Sequence, residues 1–445
     1  MNLRAAIAPP VKRPVQGLPI RYLLVLWLLV LSAVAFLDRV NMSIAGVQIG
    51  RDFNIDHAHL GWVFSAFLVG YASCQIPGGI LARRFGPRRM LALSFAWWAL
   101  FIILTALAPT GVRGALLLLV LVRFSLGAGE AVIYPAASQF VERWFPTNER
   151  GMANGIIFGG VGLGSGLTPP VLAAVILHFG WRSSFWLCAV IGVTAGTVWY
   201  LAARDTPEQH PLVSTAELDH IAAGRGAQSK LDAKPGAPWG KIFSSKEVLA
   251  LVLSYFTYGY VAWIFFSWFY IYLAEVRGLN LKTSALYTML PFLAMTTGCL
   301  VGGAASDWLA RRYRARVGRS FLPAFALGCT AILLLVGSRA HDALVAAVVL
   351  ACGAGALYLS QSCFFSVAAD IAGEHAGVVA GTVNTGGQLG GAVTASLTPL
   401  IAARFGWEAS FLTAALLAGV GALAWLAVNP EARLGSTPSS EPAMR

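Results

Sequence analysis

The sequence predicts an all-α membrane protein, with about twelve transmembrane helices arranged as two pseudo-symmetric six-helix bundles. Composition is the first reason. Apolar residues make up 57% of the 445 and charged residues only 12%, about half the charged fraction of an ordinary soluble protein. The second reason is that apolar runs of about 18 residues or more, each long enough to cross a bilayer, recur along nearly the whole chain. The third is an internal repeat. Phe179-Gly180-Trp181-Arg182-Ser183-Ser184-Phe185 returns as Phe405-Gly406-Trp407-Glu408-Ala409-Ser410-Phe411, and Leu167-Thr168-Pro169 returns as Leu397-Thr398-Pro399. Each copy precedes the sixth span of its half, the pattern of a secondary transporter built from two repeated halves with its site between them.

In order, a cytoplasmic N-terminal tail occupies 1–20 and the first bundle 21–202, with spans at 21–46, 57–81, 90–109, 114–136, 150–177 and 182–202. A polar stretch at 203–246, with Pro207, Pro211, Pro235 and Pro238, reads as a cytoplasmic linker carrying a short amphipathic helix near 215–223. The second bundle runs over 247–429, with spans at 247–274, 284–308, 319–338, 343–369, 375–402 and 407–427, and a disordered tail follows at 430–445. Ala33-Val34-Ala35 resembles a signal-peptidase site, but one more apolar segment among many, with Asp38-Arg39 inside it, is an anchor rather than a leader.

The net charge of +12 is not a nucleic-acid footprint. Twenty-three of the 32 Lys and Arg fall in the tails and alternate loops, and seven in the opposite loops. The clusters Arg83-Arg84…Arg88-Arg89 and Arg311-Arg312-Tyr313-Arg314-Ala315-Arg316 are the clearest cases. That asymmetry places both termini in the cytoplasm. The 6 Cys fall inside spans without CxxC spacing, so no disulfide frame or metal site is indicated. The glycine runs Gly159–Gly166 and Gly386–Gly391 lie in apolar helices with no strand before them. They permit close helix approach and do not bind a dinucleotide. HExxH, GxSxG and a Ser/His pair at depth are absent, which argues against an enzyme and against a cofactor.

Chemistry then falls to the few ionisable residues deep in spans: Asp38 and Arg39 in the first, Arg123 and Glu130 in the fourth. Asp307 and Asp370 lie at cytoplasmic span ends. Each mid-membrane charge costs roughly 2.5–3.5 kcal/mol on insertion scales, which makes it a functional-site hypothesis by default. Seven residues place Arg123 and Glu130 on one helix face, about 10 Å apart along the axis. Asp38 and Arg39 are roughly 100° apart around their helix, so one is expected to face the cavity while the other contacts a neighbouring helix. A buried Arg with planar donors suits a carboxylate or phosphate, and a buried carboxyl beside it can load and release a proton. The competing reading makes the four residues two static ion pairs that lock helices together. All 7 His lie in loops or at span ends, which discounts a histidine relay. The aromatics of the seventh span (Tyr255, Tyr258, Tyr260, Trp263, Trp268, Tyr270 and Tyr272) are expected mostly to face lipid, pack on neighbours or form the interfacial belt.

These residues carry a resemblance. From span one to span twelve the chain resembles the major facilitator superfamily, and within it the anion:cation symporters, the group of galactonate, glucarate, hexuronate and phthalate permeases and sialin-like carriers. The resemblance rests on Asp38-Arg39-Val40-Asn41, Ser65-Ala66-Phe67, Gly70-Tyr71, Gln75-Ile76-Pro77-Gly78-Gly79 and the basic loop through Arg89. It continues in Arg123-Phe124…Gly127…Glu130-Ala131…Pro135, Glu149-Arg150-Gly151, Thr206-Pro207-Glu208 and Gly381-Thr382-Val383-Asn384-Thr385-Gly386-Gly387. It implies that Arg39 holds a substrate carboxylate, that Tyr71 and Asn384 contact the anion, and that Asp38 and Glu130 are proton-coupling acids, with Arg123 tied electrostatically to Glu130. The gating loop, Gly79, Arg83, Arg84, Gly86 and Arg88, departs from the family pattern: Arg83 stands where an Asp that latches the outward-open state is usual. Asp307 keeps an acid at the corresponding place in the second half.

The expectation is therefore a monomeric, proton-coupled importer of a small carboxylate working by alternating access in a bacterial inner membrane. An organophosphate/phosphate exchanger, sodium as the coupling ion, and a ligand sensor with a transporter fold are the rival readings. The identity of the anion stays open.

Overall fold

The computed structural model describes residues 18–147, 149–224, 239–314 and 316–433. The chain enters as α1 (Ile20–Phe53), a 34-residue helix whose N-terminus is capped from outside: the Glu217 carboxylate accepts from the amides of Ile20 and Arg21, both at 3.1 Å. The cap supplies acceptors for amides that have no partner within the helix. α2 (His57–Phe85) starts at Asp56, whose carboxylate accepts from the His59 amide. α3 (Pro87–Ala106) follows Gly86, which sits at φ +87°, a turn open to glycine.

The fourth span, α4 (Ala115–Trp144), is helical over Ala115–Glu130 and again over Ile133–Trp144. Pro135 lies at the break and cannot donate a backbone hydrogen bond, the usual cause of a kink. α5 (Arg150–Phe179) and α6 (Trp181–Ala202) complete the first half. The short linker helix Thr215–Gly224 matches the one expected near 215–223.

The second half repeats the plan. α7 runs over Lys246–Ser267, then through Phe269–Ile271 and a π-helical turn at Tyr272–Val276. α8 (Leu281–Arg312) and α9 (Val317–Arg339) follow. α10 (Ala343–Ala372) breaks at Ser360 as α4 breaks after Glu130, and α11 (Ala376–Phe405) and α12 (Trp407–Ala427) close the chain.

Twelve helices thus occupy the expected spans among the described residues, and they define a multi-pass membrane protein. Eleven are apolar enough to be recognised as spans by composition. The exception is α11, which at 30 residues is long enough, but Thr382, Asn384, Thr385 and Gln388 dilute its apolar content. Most helices outrun their expected bounds, because hydropathy marks only the lipid-immersed part. The expected disordered tail lies outside the described residues from 434 onward, as do residues 1–17 and 225–238 of the expected tail and linker.

Helix crossings repeat with the halves. Gly70 of α2 and Gly127 of α4 are packed so closely that a Cβ on either would strike the other helix's backbone carbonyl. Gly298 of α8 lies likewise against the Gly355 carbonyl of α10. Gly160 of α5 presses on the Leu29 carbonyl of α1, as Gly390 of α11 presses on the Phe256 carbonyl of α7. Small residues let backbones meet where no hydrophobic effect drives helices together.

Between the halves, α2 packs on α11 and α5 on α8. The seal lies at the end away from the basic loops. There Ser43 Oγ donates to Ser267 O at 2.8 Å and Ser65 Oγ to Ala392 O at 2.6 Å, each across the halves, while Trp268 Nε1 donates to Ala395 O at 3.1 Å within the second half. The far end is therefore the one where the two halves are joined.

Candidate functional site

The four deep charges come together midway along the first half, where α1 meets α4. Arg39 Nη2 donates to Glu130 Oε1 at 2.7 Å, and Arg123 Nη1 donates to Asp38 Oδ2 at 2.7 Å. Asp38 and Glu130 are 0% exposed, Arg123 2% and Arg39 6%. The direct partner of Arg123 is therefore Asp38, and any tie of Arg123 to Glu130 is through charge rather than contact. Two turns of rise separate them on one helix, whereas α1 lies alongside and supplies each with a partner of opposite sign. The expectation that only one of Asp38 and Arg39 contacts a neighbouring helix is corrected: both reach α4.

Each pair uses a single N–H···O contact. Asp38 Oδ1, Arg39 Nε, Arg123 Nε and Glu130 Oε2 are buried without a hydrogen-bond partner. An unsatisfied buried group costs about 1–3 kcal/mol, more when charged, so a purely structural lock would be expected to complete its bonds. This half-satisfied arrangement can rearrange around a ligand or a proton.

Arg39 is the member that faces the second half. Its guanidinium carbon lies 4.0 Å from the Phe36 ring centroid, 5.2 Å from Phe67, 5.2 Å from Tyr71 and 5.8 Å from Trp263 of α7. The Gly70–Gly127 crossing explains why Tyr71 is there, since it brings the two backbones together one residue before the ring. Arg123 sees only Phe67, at 5.2 Å. Asn41, quoted with Asp38 and Arg39 as one motif, does structural duty instead: its Oδ1 accepts from Ser184 Oγ at 2.8 Å and ties α1 to α6.

Of the remaining expected site residues, Tyr71 is buried beside Arg39, and Asn384 sits half-buried on α11, outside the quartet's hydrogen bonds and ring contacts. In the gating loop Arg83 and Arg84 are exposed, and Gly79 lies against Pro135. Arg88 is engaged: its amide donates to Asp205 Oδ1 at 3.0 Å, and its guanidinium to Tyr200 O at 2.7 and 2.9 Å. Asp205 fills the space beside Gly86. Asp307 and Asp370 share Arg319, at 3.9 and 3.0 Å.

Sequence reasoning placed most seventh-span aromatics against lipid, packing neighbours or the membrane interface. The structure buries Tyr255, Tyr258, Tyr260, Trp268, Tyr270 and Tyr272 within protein, which removes the lipid-facing option for them. α7 is a central helix, packed on α11, α12 and α1, so it has little lipid-facing surface. Tyr255 and Tyr258 stack at 5.1 Å, Tyr358 lies 5.5 Å from Tyr258, and Gln361 Nε2 donates to Tyr255 OH at 3.2 Å. This aromatic wall, together with Phe36 and Trp263, had no marker in the sequence beyond aromatic density. A groove of about 820 Å³ between α9 and α12, lined by Phe321, Leu335 and Leu426, lies apart from the charges and is apolar, as a lipid-facing surface should be.

Two repeated bundles, hydrogen-bonded to each other at one end, and buried charge at the midpoint define the transporter class in which the halves rock around a central site. The chain belongs to the Major Facilitator Superfamily, whose family model matches residues 28–395. It is 33% identical over 417 residues to the "Probable sulfoacetate transporter SauU" of Cupriavidus necator, covering 93% of this chain and 95% of that one. It is 31% identical over 411 residues to the "Ascorbate transporter, chloroplastic" of Arabidopsis thaliana, covering 92% and 75%. Among solved structures, a bacterial homologue of the human lysosomal transporter Spinster, in an inward-facing and occupied conformation, superposes with a TM-score of 0.74. The two share 16% identity over 92% of this chain and 97% of that one, a likeness of fold alone.

Proposed function

We propose that the chain imports a small organic anion together with protons, by rocking of the bundles 21–202 and 247–429 about the linker 203–246. In this reading it is a monomer in a bacterial inner membrane with both termini in the cytoplasm, so the basic end faces inward and the joined end outward. The observation that carries the proposal is the 2.7 Å contact between Arg39 and Glu130. Arg39 is the one cation of the quartet that faces both halves, and Glu130 occupies it. An anion reaches Arg39 by replacing Glu130, and Glu130 leaves without stranding a buried negative charge when it takes a proton. Proton and anion therefore load together. Release inward reverses the exchange: Glu130 loses its proton and reclaims Arg39.

Asp38 keeps Arg123 neutralised throughout, at 2.7 Å. That leaves one guanidinium for the substrate, which suits a carboxylate or sulfonate better than a doubly charged phosphate. The names of the relatives, sulfoacetate and ascorbate transporters, support the same class. Tyr71 and the Tyr255–Tyr258–Tyr358 wall offer hydroxyls and ring faces for the rest of a hydroxylated or compact anion, with Asn384 on the facing helix.

The test is thermal unfolding of the purified protein with sulfoacetate, ascorbate and inorganic phosphate, beside Arg39→Ala. A ligand at about 100 times its Kd adds roughly 2.7 kcal/mol to the folded state. Stabilisation of the wild type by an organic anion, lost in Arg39→Ala, supports the proposal. Stabilisation by phosphate alone supports the exchanger instead, and stabilisation that survives Arg39→Ala removes Arg39 from the site.

A further inference from the structure

The sealed end carries a second group of chemistry-bearing residues, about 18 residues along the chain from the charged quartet and unused by the transport scheme above. His57, the first residue of α2, belongs to the first half, and Glu275, in the π-helical turn that ends α7, belongs to the second. His57 Nε2 lies 3.0 Å from Glu275 Oε2, with side chains 44% and 35% exposed. The imidazole ring also stands edge-on to Trp268 of the second half at 6.0 Å, and Trp268 is held in place within that half by its hydrogen bond to Ala395 O. The cross-seal hydrogen bonds named above join serine hydroxyls to backbone carbonyls, which do not titrate near neutrality.

The charged groups around the pair are otherwise engaged. Asp56, beside His57, accepts from the His59 amide at 2.9 Å and faces His59 Nδ1 at 2.7 Å. Asp52 at the end of α1 holds Trp181 and Arg182. Arg277, two residues beyond Glu275, is bound by Tyr272 OH and by the carbonyls of Ala340 and His341. On α12, Glu408 pairs with Arg339, and the α11 residues that meet the outer end of α2, Ala392, Ala395 and Ser396, carry no charge. Glu275 and Asp56 are the charges that act on His57.

We propose that His57 and Glu275 form a titratable latch on the outer gate, closed when the imidazole is protonated and loosened when it is not. An imidazole ordinarily titrates near pH 6.5, within the range an outer membrane face experiences. Opening the far end must separate α2 from α7, so it breaks this contact. External acid then holds the gate shut while it favours proton loading at the quartet. The two effects oppose each other, and the latch sets the acidic limit of the cycle. The π turn assists: a wide turn at a helix end can rewind as Glu275 is released, and such turns are frequent at functional sites. The inference uses the proposed orientation but not the identity of the anion, so it stands or falls separately from the substrate assignment.

Hydrogen–deuterium exchange on the purified full-length protein, without substrate, tests it. Exchange is followed at about pH 5.5 and about pH 8, corrected for intrinsic rate, in peptides covering 57–66, 268–280 and 392–398. Wild-type exchange there should rise about two- to fivefold at the higher pH, the range expected of a partly exposed ion pair. H57Q and E275Q should exchange fast at both values. H57K, cationic throughout, should stay protected at both, and H59Q should behave as wild type. A wild type without the pH response, or an H57Q protein that keeps it, overturns the latch. An H57K protein as open as H57Q overturns it as well, since only charge distinguishes the two.

Discussion

The two halves share a backbone plan and almost none of its chemistry. Gly70 of α2 presses on the Phe124 carbonyl of α4, and Gly298 of α8 on the Gly355 carbonyl of α10, so both halves bring these helices together at a glycine. The matched crossings of Gly160 on Leu29 and Gly390 on Phe256 place Asp38 opposite Phe265 and Arg39 opposite Phe266. No charged residue lies between Glu247 and Glu275 in the seventh span, nor between Asp342 and Asp370 in the tenth. The repeat therefore fixes how helices cross, and the charges were placed in one copy only. One half carries the buried charges, and the other presents aromatic walls toward them.

The largest effect that would break this comparison comes from Arg39. Arg39→Ala should abolish uptake and lower stability by about 3–5 kcal/mol, because it strands the buried Glu130. Adding Glu130→Gln should restore much of the stability and none of the uptake, read by thermal unfolding and transport side by side. Recovered uptake in the double variant would show that Arg39 is structural. Glu130→Gln alone should retain counterflow exchange and lose accumulation against a gradient; accumulation that persists removes Glu130 from coupling.

Next come the crossings, where the halves should respond alike. Gly70→Leu and Gly298→Leu each force backbones apart, and overpacking typically costs about 1–3 kcal/mol. Similar losses of thermal stability in both would confirm that architecture is shared, whereas a loss confined to the first half would mean that its charges, not its packing, hold it together.

Smaller effects come from the paired turns. Gly180 and Gly406, at φ +77° and +84°, open the same Phe-Gly-Trp turn, yet Arg182 pairs with Asp52 at 3.1 Å while Glu408 pairs with Arg339 at 2.8 Å. Both pairs are well exposed, so Arg182→Ala and Glu408→Ala should each change stability by about 1 kcal/mol or less.

The smallest expected effect concerns the linker. Glu149 binds Arg21, Tyr22 and His220, at 3.3, 3.0 and 2.7 Å. Burial raises its carboxyl pKa, but the His220 and Tyr22 hydrogen bonds and the Arg21 charge outweigh burial and leave it below the ordinary value of 4.5. A depressed carboxyl stabilises above its unfolded pKa, and that contribution disappears as pH falls through the folded value. Proteolytic nicking near Gly224 should thus be unchanged from neutral pH down to the ordinary carboxylate range and rise only below it.

Most of the fold was legible because bilayer thickness imposes a length and a hydropathy on each span, and because Phe-Gly-Trp recurs. What hydropathy could not show was where α4 and α10 break. For the site, the identity of the four charged residues was legible and their pairing was not. Partners on different helices depend on rotation and crossing angle, which spacing along one helix does not encode. The sequence left the seventh-span aromatics open between lipid, packing neighbours and the interface for a related reason: an all-apolar helix reads the same whether lipid or protein surrounds it.

The central claim is that an anion and Glu130 compete for Arg39, and the most direct measurement is anion affinity against pH in wild type and Glu130→Gln. Calorimetry with sulfoacetate, or whichever anion stabilises the protein, in buffers of different ionisation heat also counts protons. The account predicts that wild-type binding takes up a proton and weakens as pH rises, while Glu130→Gln binds with retained affinity and no uptake at that position. Proton uptake and pH dependence unchanged in Glu130→Gln would contradict it.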